Sequence, residues 1–158
     1  MFHYHKGKKK CLKLKKYSKK NNKKLIQNII KKYQFLYPEQ LEAILNALLV
    51  DITFVDKDDR VRYFNQAKDR IFPRTKAVIG REVQNCHPKK SLHAVTRILE
   101  DFRAGRRDSA RFWIDMEGRL IHIQYFPVRG PEGEYLGCLE VTQDITDVKG
   151  IEGEKRLL

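Results

Sequence analysis

At 158 residues, with 41% hydrophobic and 10% aromatic content, the chain is long enough for one ordinary domain with a core, and no stretch of it reads as a bilayer-spanning helix. The formal charge of +13 suggests nucleic acid until it is located: residues 1–33 hold 13 lysines and no acid, while 34–158 carry 20 basic and 20 acidic residues. A basic stripe on a folded surface is therefore excluded, and the positive charge belongs to a tail.

That lysine-rich tail, residues 1–37, is expected to be disordered or a non-native leader. Residues 1–33 offer lysine–phosphate attraction to nucleic acid or anionic lipid, which salt weakens. They are equally read as a solvated leader without a partner, or as translated upstream sequence rich in Lys, Asn, Ile and Tyr. The tail lacks the apolar run and cleavage site of a secretory signal. Cys11, Cys86 and Cys138 are odd in number and form no CxxC pair, which argues against a disulfide scaffold and for a reducing, cytoplasmic setting. His3 and His5 lie among lysines that would repel a metal ion.

Pro38-Glu39-Gln40 opens an amphipathic helix in which Leu41, Ile44, Leu45 and Leu48 recur at helical spacing. Its apolar stripe suits either the sheet that follows or a second subunit. Residues 51–65, DITFVDKDDRVRYFN, alternate as a hairpin with Lys57, Asp58 and Asp59 at the tip. Gln66 to Phe72 has weak helical character ended by Pro73, and Thr75 to Asn85 suggests another short helix or turn. Over Ser91–Arg103 the residues Leu92, Val95, Ile98, Leu99 and Phe102 keep a 3.6-residue period, and Gly105 stops it. Three period-two runs follow, SARFWIDM, LIHIQYFPV and YLGCLEVTQDIT, joined by turns at Glu117-Gly118 and Gly130–Gly133. The prediction is an α+β fold, with helices between strands two and three of a five-stranded antiparallel sheet and a leading amphipathic helix. The domain spans 38–149, with 150–158 as an extension.

This order, with Asn65 closing the second strand, the PVRGPEGEYLG turn and the closing Asp144-Ile145-Thr146, resembles a PAS domain over residues 41–149. The run GREVQNCHPKKSLH, followed by ILEDFRAGRRD and FWI, is similar to PAS modules at the carboxyl end of bacterial proteins with a hemerythrin-like domain. The resemblance implies a signal-sensing or protein-interaction module without enzyme activity, working as a homodimer or with a signalling partner. Only DVKGIEGEKRLL follows the closing motif. The signal would then pass to a separate protein, or the chain is a fragment or degenerate copy of a longer one.

No phosphate loop, HExxH, GxSxG or CxxC is present, so the expected chemistry is binding. Strand parity points Phe112, Ile114, Ile121, Ile123, Tyr125, Leu139 and Val141 inward, as an apolar chamber for a small molecule or as plain core. Trp113, Leu120 and Phe126 then face the other way. The resemblance puts His93 first and His87 second as axial ligands should haem bind; a histidine satisfied by backbone or carboxylate is the structural alternative, and no cofactor at all is the other outcome. The resemblance also makes Asp144 and Asn65 candidates for signal transmission. The competing function is a nucleic-acid-associated regulator using residues 1–33.

Overall fold

The structure is a computed structural model that describes residues 36–157. The lysine-rich segment 1–33, with its nucleic-acid reading, Cys11, His3 and His5, lies outside the described residues. The chain divides into two units, 1–41 and 42–158. The described part of the first is the opening of helix α1 (Pro38–Ala47), where the Tyr37 amide donates to Gln40 Oε1 at 2.9 Å and so satisfies a donor the helix itself leaves free.

The second unit is built on one antiparallel sheet of β1 (Asp51–Asp56), β2 (Val61–Phe64), β3 (Ala110–Met116), β4 (Arg119–Arg129) and β5 (Tyr135–Asp144), in the order β2-β1-β5-β4-β3. Helix α2 (Lys89–Arg103) and two 3-10 turns, Lys76–Val78 and Val83–Cys86, fill the connection between β2 and β3, and a short α3 (Thr146–Lys149) follows β5. The expected five-stranded antiparallel α+β arrangement is what forms. Glu117 and Gly118 both take positive φ, the geometry of a two-residue hairpin turn whose twist suits the flanking strands. Gly137 lets β5 run against β1, since a Cβ there would sit 2.1 Å from the Val55 carbonyl oxygen.

The core lies between the sheet and α2. Val95, Ile98, Leu99 and Phe102 form the buried stripe of the helix, and Val55, Val61, Ala110, Ile121, Ile123, Tyr125 and Cys138 meet it from the strands. Gln66 to Phe72 is not helical as the sequence suggests. Its backbone donors turn to side chains instead: the Gln66 amide donates to Asn46 Oδ1 and the Phe72 amide to Asp51 Oδ2, which replaces a helical ladder with anchors to other elements. No helix among the described residues is long and apolar enough to cross a membrane.

Candidate functional site

The inner face of the sheet, the one turned to α2, is set by the cross-strand register. Phe112 pairs with Ile123 and Ile123 with Thr142; Ala110 pairs with Tyr125, Tyr125 with Glu140 and Glu140 with Thr53. Of the expected chamber residues, Phe112, Ile114, Ile121, Ile123 and Tyr125 share this face. Leu139 and Val141 do not: Leu139 stands opposite Phe126 on the outer face, and Cys138, Glu140 and Thr142 are the β5 residues turned inward. The alternation expected for β5 is one residue out of phase because polar residues occupy its inner positions, and a one-residue slip exchanges the faces of a whole strand.

Those inward polar residues belong to a buried cluster. Arg70, from the connection after β2, donates through Nη1 to the Asn65 carbonyl at 2.8 Å and to Asn65 Oδ1 at 2.9 Å, through Nη2 to Thr53 Oγ1 at 3.2 Å, and through Nε to the Phe72 carbonyl at 2.9 Å. Its charge faces Asp51 at 3.8 Å. Burial pushes the Arg70 guanidinium below its usual range, and the Asp51 carboxylate works against that shift. Arg74 reaches Glu140 Oε2 at 3.5 Å, a long contact that leaves much of both groups unused. Arg74 Nε and Thr142 Oγ1 are buried without a hydrogen-bond partner among the described residues, an arrangement that costs about 1–3 kcal/mol per group.

Beside this polar half lies an apolar one. Phe112 stacks on Tyr125 with ring centroids 5.8 Å apart and planes at 25°. Phe112 and Ile114 remain 38% and 39% exposed although they sit on the inner face, so the cover over the sheet is incomplete toward β3. Burial raises the Tyr125 phenol well above its ordinary range, with Glu140 adding to the shift, and keeps it protonated.

The two histidines expected near a ligand are placed differently. His93 is exposed, because two residues before Val95 is about 200° around the helix and lands opposite the buried stripe. The first-ranked haem ligand therefore points away from the core. His87 is half-buried in the loop before α2, its Nδ1 bonded to the Val83 carbonyl at 2.9 Å, which is the structural role set against the haem one. Among the described residues no three His, Cys, Asp or Glu side chains converge as a metal site.

Two further polar junctions leave the core. Asn65 is fully buried: its Oδ1 accepts from the Ile52 amide at 2.7 Å, and its Nδ2 donates to the Leu45 and Val50 carbonyls at 2.9 Å each, joining the end of α1 to the first hairpin. At the other end Asp144 Oδ1 accepts from the Thr146 amide at 3.0 Å and its hydroxyl at 2.5 Å, while Thr146 Oγ1 accepts from the Leu120 amide at 2.9 Å. The Thr146 hydroxyl and amide hold the Asp144 carboxyl below the usual carboxylate range.

Residues 41–146 match the family model of the PAS domain. The chain belongs to the PAS family. A crystal structure of a C-terminal domain from Streptococcus mutans is 38% identical, covers 74% of this chain and 91% of that one, and superposes with a TM-score of 0.69. The PAS domain of a Colwellia psychrerythraea protein (16% identity, 69% of this chain and 97% of that one, TM-score 0.52) and that of Bordetella pertussis BvgS (18% identity, 68% and 85%, TM-score 0.52) share the fold. No curated protein matches the chain. In this PAS domain the polar cluster on β1 and β5 is what sequence reasoning missed. Its only outward signal is that Asp51, Thr53, Glu140 and Thr142 alternate with Ile52, Phe54, Leu139 and Val141, a pattern that says two faces differ without saying which is inside.

Proposed function

We propose that this PAS domain, a sensory module of signal transduction, works in the cytoplasm by taking a small molecule at the inner face of its sheet and relaying occupancy through the two polar junctions at its ends. One observation carries the reading: Arg70 bonds Asn65 directly, and Asn65 bonds the α1 carbonyl of Leu45. A shift of the connection that holds Arg70 and Arg74 thus reaches α1 through two hydrogen bonds. Asp144 and Thr146 give β5 and the β3–β4 hairpin the same kind of tie to α3. Trp113, 64% exposed, and the exposed Leu41, Ile44 and Leu48 of α1 and its end supply apolar surface for a second copy or a signalling partner. The sensor reading needs no catalytic step.

Native mass spectrometry of the purified chain, reporting bound small molecules and subunit number, tests the first half. Amide exchange tests the second: Asp144→Ala should change protection across Thr146–Lys149 and at the Leu120 amide that Thr146 Oγ1 accepts, and Asn65→Ala across Pro38–Ala47, with the β4 amides from Ile121 onward unchanged. Equal protection in both variants and the parent would remove the relay.

A further inference from the structure

The two edges of the sheet are finished differently. Along β2 the outward backbone is taken up by the chain that follows the first 3-10 turn: the Val61 amide donates to the Arg81 carbonyl at 2.9 Å, the Gly80 amide to the Val61 carbonyl at 2.8 Å, and the Val83 amide to the Asp59 carbonyl at 2.8 Å. β3 forms the other edge, and its outward groups meet no backbone partner among the described residues. Which groups these are follows from the β3–β4 hairpin. Asp115 stands opposite Leu120, and Leu120 turns its amide and its carbonyl the other way, to Thr146 Oγ1 and to the Ile145 amide, both at 2.9 Å. Asp115 and Leu120 are therefore a pair without mutual backbone bonds. Such pairs alternate with bonded ones along an antiparallel ladder, so Arg111, Trp113 and Asp115 all point their N–H and C=O groups off the edge.

An edge of this kind accepts another strand unless proline, lysine or a bulge obstructs it, and β3 has none of the three: ARFWIDM pairs with β4 without a register shift. Its two charges are of opposite sign, Arg111 and Asp115, each two residues from Trp113, the midpoint of Ala110–Met116. Neither forms an ion pair among the described residues. Like charges on an edge keep copies apart; this pair does the reverse, because the strand reads the same in both directions. A two-fold axis through Trp113 sets Arg111 of one copy opposite Asp115 of the other at both ends, and the three outward-pointing residues each fall in a bonded pair. On the inner face the same axis sets Phe112 opposite Ile114, which covers two apolar side chains that the single chain leaves half-exposed. An axis through Phe112 or Ile114 instead leaves part of the strand unpaired and puts Trp113 opposite Arg111 or Asp115.

Resting on the reading of the Trp113 surface as one for a second copy, we propose that two copies of this chain pair antiparallel along β3 about Trp113, joining their five-stranded sheets into one continuous sheet with Arg111–Asp115 ion pairs on its outer face. The occupant is a second copy because the contact is self-complementary, as a two-fold interface requires. The contact is one strand wide, so the dimer is reversible, and the apolar stripe of α1 stays outside it.

The full chain is sedimented at physiological ionic strength over a range of concentrations, and the emission of Trp113, the chain's single tryptophan, is followed on dilution. A monomer–dimer equilibrium is expected, with the emission moving to longer wavelength as the dimer separates and water reaches the indole. Arg111→Asp and Asp115→Arg each set like charges opposite one another at both ends and should weaken the dimer at least tenfold while leaving the urea midpoint of the monomer in place. Mixed in equal amounts, the two variants are complementary again and should form a heterodimer within about threefold of the parent's affinity, as should the homodimer of the variant carrying both changes. That double variant decides the matter if either single one fails to fold. Undiminished dimers in the single variants would overturn the edge pairing and leave the second-copy reading to the α1 stripe. Weakened dimers that neither the mixture nor the double variant restores would overturn the register about Trp113, and the proposal with it. A chain that stays monomeric at every concentration would remove both the pairing and the second-copy reading.

Discussion

The two halves of the inner face solve burial by opposite means. Toward β3 and β4, Ile121, Ile123 and Tyr125 are buried by apolar contact alone, with Phe112 stacked on Tyr125 at the half-exposed margin. Toward β1 and β5, Asp51, Thr53, Glu140 and Thr142 are buried just as deeply, and the first three are tolerable there because Arg70 and Arg74 come down from the connection after β2. The apolar half is non-directional and forgiving. The polar half depends on geometry, so a displacement of the Arg70–Arg74 connection changes its energy steeply. The half that is less adaptable is the one wired to α1 through Asn65.

Breaking the polar half should have the largest effect. Arg70→Ala leaves Asp51 buried without its cation and releases four hydrogen bonds. Removing one partner of such a pair costs about 3–5 kcal/mol, read as a lowered urea midpoint. Arg70→Lys retains the charge but cannot span Asn65, Thr53 and Phe72 with one planar fork, and should fall between Ala and the parent. A loss under ~1 kcal/mol in Arg70→Ala would mean that the cluster is hydrated and the contrast between the halves is false.

The apolar half should answer more gently. Ile121→Val deletes one methylene from a fully buried side chain and should cost about 0.5–1.5 kcal/mol in the same titration. This asymmetry also explains what was legible beforehand. The family resemblance rests on Asn65, the PVRGPEGEYLG turn and Asp144-Ile145-Thr146, while the strands and α2 follow from Leu92, Val95, Ile98, Leu99 and Phe102 and from the period-two runs, because nonspecific burial writes itself as periodicity. The cluster does not. Arg70 and Arg74 lie in a stretch without periodicity, their partners within the strands, Thr53, Asp51 and Glu140, are 17 to 66 residues away in sequence, and the strand register brings these together. The place of His93 is decided by its angle around the helix, about 200° from Val95, which the resemblance that ranks it first does not contain.

Outside both halves the expected effect on stability is small. Trp113 stands on the outer face of β3, largely exposed, so Trp113→Ser should change the urea midpoint by no more than about 0.5 kcal/mol. If that surface serves a second copy, the same variant should shift the subunit number seen by native mass spectrometry while leaving monomer stability in place. A destabilised monomer would place Trp113 inside the folded unit instead.

The boundary between the halves offers the test with no effect at neutral pH. Tyr125 and Cys138 lie where apolar packing meets Glu140, and both are held protonated, chiefly by burial: the phenol moves up from its usual 10.0, and the thiol is pushed from 9.0 up to about 12. A raised acid of this kind contributes its full stability below the unfolded value and loses it as pH climbs, because the unfolded chain releases a proton that the folded one retains. The decline therefore begins near 9.0 with Cys138 and steepens near 10.0 with Tyr125, each group adding up to about 1.4 kcal/mol per pH unit. Tyr125→Phe should match the parent's melting temperature at pH 7 to within a few degrees and fall less steeply between pH 10 and pH 11. An identical alkaline slope in the variant would mean that water already reaches the Tyr125 hydroxyl, and that the seam between the two halves is open in the ligand-free protein.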